Sequence, residues 1–213
     1  MLADFTEFSR SVPARVGLAA VAVGGDGAVL SLGQWDSGPA WSTSKVPLVL
    51  AKMQDEHDHN NITPAMRAAI TQSDNDSAKD IWASMGTPQE AAAKMERVLR
   101  AVGDPTDVEY RETRAAEGYT AFGQTNWSLV NQSSFMSGIA CEPQAIPLLD
   151  LMGQVEPDQR WGLGTISETR FKGGWGPATT GEYLVRQVGL VPTARGTVAV
   201  AIAAEPNVGR GAE

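Results

Sequence analysis

Hydrophobic spacing changes character twice along this chain, and the order of those changes limits the folds open to it. Val16 to Val23 and Ala28 to Gly33 read as two strands joined at the turn Gly24-Gly25-Asp26-Gly27. Ahead of them Leu2, Phe5 and Phe8 recur every three residues, as in a short helix. From Ser42 onward the spacing becomes helical. One helix is expected over Ser42 to Glu56, and another starts at Thr63-Pro64 with Met66, Ala69 and Ile70 on one face. Ala78, Ile81, Trp82 and Met85 carry a third helix. Thr87-Pro88-Gln89-Glu90 is a capping box, followed by an apolar face of Ala91, Met95, Val98, Leu99 and Val102 and a stop at Gly103. Ser128 to Ala140 and Ala145 to Gln154 read as two more helices. Strand-like segments return at Thr169 to Trp175, Tyr183 to Val191 and Thr197 to Ala204. With strands at both ends, the outer segments share one antiparallel sheet and the helical block is inserted between them. The expected class is therefore α/β in the α+β sense. Residues 1–41 and 155–213 make an α/β lobe flanked by helices, and residues 42–154 make an all-α lobe.

At 213 residues the chain can bury a sizeable core without covalent staples. Its one cysteine, Cys141, excludes an internal disulfide and reads as a small core thiol within a helix-like run. A net charge of −8 with no Lys/Arg cluster argues against a nucleic-acid surface. No apolar run reaches the length of a membrane span, and no signal peptide is read, which fits a trimmed chain. His57 and His59, with Asp55 and Asp58, sit in a polar break that reads as a solvated loop ahead of a metal site. No metal and no cofactor are expected.

Three short stretches carry chemistry. Ser42 and Lys45 are three residues apart at the head of an apolar helical run, so the lysine amine can reach the serine hydroxyl. A serine becomes a useful nucleophile when a neighbouring base takes its proton, and a lysine is that base only where its pKa is lowered. In isolation the pair equally describes a capping serine beside a solvated lysine. Ser73-Asp74-Asn75 alone describes a helix-capping turn, and Lys172-Gly173-Gly174 alone a bulged strand. The three in this order change the reading.

Ser-x-x-Lys, then Ser-Asp-Asn, then Lys-x-Gly resembles the ordered motif set of the penicillin-recognising serine enzymes, the class A β-lactamases and the DD-peptidases. Ser42-Thr43-Ser44-Lys45-Val46-Pro47-Leu48 is similar to the class A nucleophile helix, and Arg67 to Ala78 to the helix leading into its Ser-Asp-Asn loop. The resemblance runs from about residue 16 to 204 and places an active site in the cleft between the two lobes. It implies Ser42 as acyl acceptor, Lys45 as base, Ser73 as proton relay to the leaving group, and Lys172 as the positive charge near Ser73 and a substrate carboxylate. Asn75 would hold Lys45 and the substrate amide. Asp74 would tie the loop to backbone. Gly173, Gly174 and Trp175 would border the substrate, with the N–H groups of Ser42 and Trp175 as oxyanion donors. Trp41 directly precedes the nucleophile, and Trp35 reads as core.

The sequence departs from that family in three places. Gly173 stands where a carboxylate-binding Thr or Ser is usual. No Glu-x-x-x-Asn motif for the deacylating water follows Gly103; Glu112 and Glu117 are the candidate bases in Asp104 to Gln124, the place of the Ω-shaped loop, with Glu109 nearby. Gln124, Thr125 and Asn126 are further candidates to orient a water. Finally, Glu205 to Glu213 is poor material for the closing helix, which leaves the outer sheet face thinly covered. The resemblance implies a serine acyl-transfer hydrolase acting on an amide or ester carbonyl of a small-molecule or peptide substrate, β-lactam or peptidoglycan-like, outside the cytoplasm. A DD-peptidase- or esterase-like enzyme that acylates but turns over β-lactams poorly, and a non-catalytic binding module, are the alternatives.

Overall fold

A computed structural model describes residues 2–25, 27–56, 61–177 and 182–206. The helices are α1 (Leu2–Ser11), α2 (Lys45–Asp55), α3 (Pro64–Thr71), α4 (Asn75–Ser84), α5 (Pro88–Ala101), α6 (Leu129–Ile139) and α7 (Ile146–Met152). The strands are β1 (Ala14–Ala22), β2 (Leu30–Gly33), β3 (Ser37–Pro39), β4 (Asn126–Ser128), β5 (Arg170–Pro177), β6 (Tyr183–Thr193) and β7 (Gly196–Pro206). Strands from the two ends of the chain form one antiparallel sheet in the order β2-β1-β7-β6-β5, and β3 pairs with β4 separately. The sheet therefore closes across the helical insertion, as the order of hydrophobic spacing requires.

Side chains alternate across this sheet. Ala199, Ala201 and Ala203 of β7 and Leu184 and Val188 of β6 face inward, into a core shared with Met53, Met66, Ile70 and Phe135 of the helices. Small alanines let the helices approach closely. The opposite face carries a smaller cluster of Val155, Leu163 and Phe171, with Val191, Val200 and Ile202 against it. Beside that cluster, an apolar cavity of about 370 Å³ lies between the sheet and Phe5 and Phe8 of α1. The outer face is thus covered by α1 and the turns before β5; Asn207 to Glu213 lie outside the described residues.

Local signals placed the helix ends. Thr63, Asp74, Thr87 and Ser128 each cap a helix by accepting a backbone N–H, and Thr87 with Glu90 completes the capping box. Elsewhere the structure differs from expectation. Ser42 is not on the α-helix: Trp41–Ser44 form a 3-10 turn and α2 begins at Lys45. Within the turn the Thr43 hydroxyl bonds the Ala40 carbonyl and the Ser44 hydroxyl the Trp41 carbonyl, which tightens the chain before α2. The strand expected from Ala28 starts at Leu30, where pairing to Ala20 begins. The helix expected from Ala145 starts as a 3-10 turn at Pro143. Helix α6 packs on β1, β6 and β7, so that part of the 42–154 stretch lies on the sheet and not among α2 to α5. Cys141 is exposed just beyond the end of α6, contrary to the expectation of a core thiol. His57, Asp58 and His59 lie outside the described residues, as does Asp26 in the first turn. Among the described residues, no helix is long and apolar enough to cross a membrane.

Candidate active site

Strand β5 lies against the 3-10 turn that carries Ser42. A Cβ on Gly174 would sit 2.9 Å from the Ser42 N, 3.0 Å from the Thr43 N and 3.1 Å from the Ala40 O. Only a residue without a side chain allows that approach. The turn is also held from behind. Buried Arg186 on β6 donates to the Gly38, Pro39 and Trp127 carbonyls at 2.9 Å each and to Gln132 Oε1 at 2.6 Å. Gln132 Nε2 in turn donates to Thr43 Oγ1 at 2.7 Å. Burial pulls the Arg186 pKa down to about 9, and its guanidinium stacks 5.0 Å from the Trp35 ring. Trp35 itself is buried, with its indole N–H on Glu205. None of the Arg186, Gln132 and Thr43 links could be found from local spacing, because they join residues 54 and 89 positions apart.

Ser42, Lys45, Ser73 and Asn75 line one cleft of about 240 Å³ together with Trp175, whereas Lys172, Gly173 and Gly174, expected to border the substrate, lie outside its lining, next to it on β5. Among the described residues, two of the three non-glycine residues at positive φ border the cleft: Trp41 (φ 50) and Ser73 (φ 57). Such backbone costs about 1–3 kcal/mol each and persists where the surroundings fix it. Lys45 is 1% exposed and donates to Ser73 O at 2.6 Å and Asn75 Oδ1 at 2.7 Å, with Ser73 Oγ at 3.4 Å. Burial lowers its pKa to about 7, against a raising influence of Asp74 and with a further lowering by Lys79. A neutral lysine has two N–H donors, and the two short bonds use both. Its lone pair is then left for a hydroxyl of the cleft.

Lys172 is fully buried on β5 and donates to Ser73 Oγ at 2.8 Å and to the Gly173 carbonyl at 2.9 Å. Burial first, and the Lys45 charge second, hold its pKa well below the usual lysine value. Ser73 thus stands between two lysines. Asp74 faces away, accepting the Ser77 N–H at 2.7 Å as the cap of α4, in line with its expected tie to backbone.

Gly173 and Trp175 point from the opposite face of β5 to Lys172 and Gly174. Trp175 is 37% exposed and lines the cleft. Trp41 is buried, packs edge-on against Tyr119 at 5.0 Å, and keeps an indole N–H without a hydrogen-bond partner. Tyr119, Phe122 and Tyr183 add aromatic wall; no motif spacing marks these three.

Glu112 and Glu117 are not brought to the cleft. Glu117 is paired with Arg114 at 2.5 Å, and Glu112 lines a neighbouring depression beside Lys79 and Trp82. Glu109 is held by Arg111 at 3.0 Å. Gln124, Thr125 and Asn126 lie outside the cleft lining as well: the Thr125 carbonyl accepts from Ala40 N and its hydroxyl from Glu109 N. Among the described lining residues Lys45 is the only charged one. No cluster that could hold a metal ion occurs among the described residues.

Neither a protein-family model nor a curated protein matches this sequence. Solved structures do match its fold. A variant of the extended-spectrum β-lactamase TLA-1 superposes with a TM-score of 0.75 at 14% identity, covering 99% of this chain and 91% of that one. A β-lactamase from Chitinophaga pinensis gives a TM-score of 0.75 at 17% identity over 98% and 92%. An ancestral class A β-lactamase gives 0.69 at 18% identity over 99% and 92%. The chain has a β-lactamase-like α+β fold.

Proposed function

We propose that the chain is a serine acyl-transfer hydrolase that attacks an amide or ester carbonyl through a Ser42 acyl-enzyme. The observation that carries this reading is Lys45: a buried lysine with a pKa near 7, three residues from a serine that shares its cleft. A base is most useful when its pKa lies near the working pH. Lys45 accepts the Ser42 proton as Ser42 Oγ bonds to the carbonyl carbon. The oxyanion is received by backbone N–H groups at Ser42 and Trp175. Ser73, hydrogen-bonded to Lys172, passes a proton to the departing nitrogen or oxygen as that bond breaks, and Lys45 returns its proton through Ser73. Asn75 holds Lys45 in place. Water then completes hydrolysis. The fold and its motif set also support an extracytoplasmic setting with a small-molecule or peptide substrate.

One observation favours slow turnover. Class A deacylation uses a glutamate, and the described lining of this cleft has no carboxylate. The variant of this reading is a DD-peptidase- or esterase-like enzyme that acylates faster than it deacylates. Labelling with a fluorophosphonate tests the nucleophile. Ser42→Ala is expected to abolish the label and to leave the melting temperature nearly unchanged. A label that persists on another serine would remove Ser42 from the role.

A further inference from the structure

The outer face of the sheet holds the apolar cavity of about 370 Å³, which shares no lining residue with the Ser42 cleft. Its floor comes from three adjacent strands. Val16, Ala204 and Val185 form one row across β1, β7 and β6, and Leu18 and Ile202 belong to the next. Phe5 and Phe8 of α1, with ring centroids 6.3 Å apart, supply one wall, and Trp161 adds another. Ala204 sits in the middle of the floor, where its single methyl group leaves the space under α1 open. Phe8 is 52% exposed, so the cavity is reached from solvent along α1.

Nothing in this lining calls for a charge. Arg186 borders the cavity, but it pairs with inward-facing Ala203 and spends its guanidinium on the inner face, on Gly38, Pro39, Trp127 and Gln132. Gln187 continues the second row of the floor. Both ends of its amide are used, on the Trp161 carbonyl and the Leu163 N–H, at 2.7 Å each. The backbone of β7 is paired on both edges, to β1 and to β6. Apolar cavities of roughly 150 Å³ stay dry and take up benzene. This one has more than twice that volume. A neutral apolar occupant gains contacts with walls that otherwise lack them and leaves water itself. A charged occupant loses hydration and finds no hydrogen bonds in return.

We propose that the cavity between α1 and the outer face of the sheet is a second binding site, for an uncharged, largely apolar molecule of two to three aromatic rings. The inference does not depend on the Ser42 reading.

Two fluorescent probes that differ by one charged group test it: N-phenyl-1-naphthylamine and its 8-sulfonate, each titrated with the full chain. The neutral probe is expected to bind once per chain, with blue-shifted emission, and at least about tenfold more tightly than the sulfonate, because the sulfonate would be buried unpaired. Ala204→Phe and Val185→Phe each put a ring into the cavity from its floor. Either one, folded by circular dichroism, is expected to weaken the neutral probe at least about tenfold, while Tyr119→Ala, in the Ser42 cleft, leaves its affinity unchanged. Absence of saturable binding to wild-type protein overturns the proposal, as does equal affinity for the two probes. Loss of binding in Tyr119→Ala with retention in a folded cavity variant moves the probe to the cleft and overturns it too. A chain that is dimeric by light scattering and becomes monomeric in Phe8→Ser gives the cavity to a second copy, which also overturns it.

Discussion

Ser73 Oγ lies within hydrogen-bond reach of both Lys45 and Lys172, at 3.4 and 2.8 Å. Two ammonium groups so placed and so buried cannot both keep their protons cheaply. Burial is the largest influence on each, and for Lys172 the Lys45 charge adds to it. Below about pH 7 Lys45 is protonated and cannot accept the Ser42 proton. Acylation is therefore expected to fall about tenfold per pH unit on the acid side of its pKa, and to level off above it. Asp74 is the charge that raises the Lys45 pKa. Asp74→Asn keeps an N-cap acceptor, since asparagine caps as well as aspartate, and removes the charge. The acid limb of the acylation profile should then move to lower pH. A limb that stays in place, or moves to higher pH, would show that another group titrates. At this scale the sequence was informative about which residues lie near one another, because the three motifs are local and Lys45, Ser73 and Lys172 are joined by hydrogen bonds. It was silent on their state, because burial of Lys45 and Lys172 is made by elements far away in the chain.

The element that holds Ser42 is the 3-10 turn Trp41–Ser44, clamped between Gly174 of β5 and the chain of bonds from Arg186 through Gln132 to Thr43. Arg186 has four acceptors within 2.9 Å and is buried. Arg186→Met would leave three backbone carbonyls and a glutamine oxygen to find other partners. Each buried orphan costs about 1–3 kcal/mol, so a loss of at least about 3 kcal/mol in unfolding free energy is expected. Chemical denaturation measures it, and a loss below about 1 kcal/mol would contradict the clamp. Periodicity and capping residues made most helices and strands readable, and Thr87-Pro88-Gln89-Glu90 was read to the residue. The turn that carries Ser42 was not readable. Ser-x-x-Lys ahead of an apolar run looks helical, and the bonds that wind it as a 3-10 turn include tertiary ones. The surface position of Cys141 was missed although the helix end was read within a residue, because nothing local shows whether the residue after α6 turns to the core or to solvent.

At the scale of the molecule, strands from both chain ends form one sheet whose edge strand, β5, meets the head of α2. The cleft at that junction has a lysine, two serines, an asparagine and a ring of aromatic side chains. The loop from Asp104 to Gln124 was recognised in the sequence as irregular and charged, but three of its carboxylates are engaged with neighbours, Glu117 with Arg114, Glu109 with Arg111 and buried Asp104 with Trp127 Nε1, and Glu112 lines the neighbouring depression. Spacing alone could not separate a loop glutamate aimed at the cleft from one paired on the surface. Forming the acyl-enzyme is therefore expected to outrun its hydrolysis. The direct measurement is intact-protein mass spectrometry over time after mixing with phenyl phenylacetate, with the modified peptide sequenced. One phenylacetyl group on Ser42, accumulating to near one per chain and decaying slowly, is the predicted result, with the same decay in Glu112→Gln and Glu117→Gln. An adduct on any other residue, or ester cleavage with no adduct at any time, would contradict it.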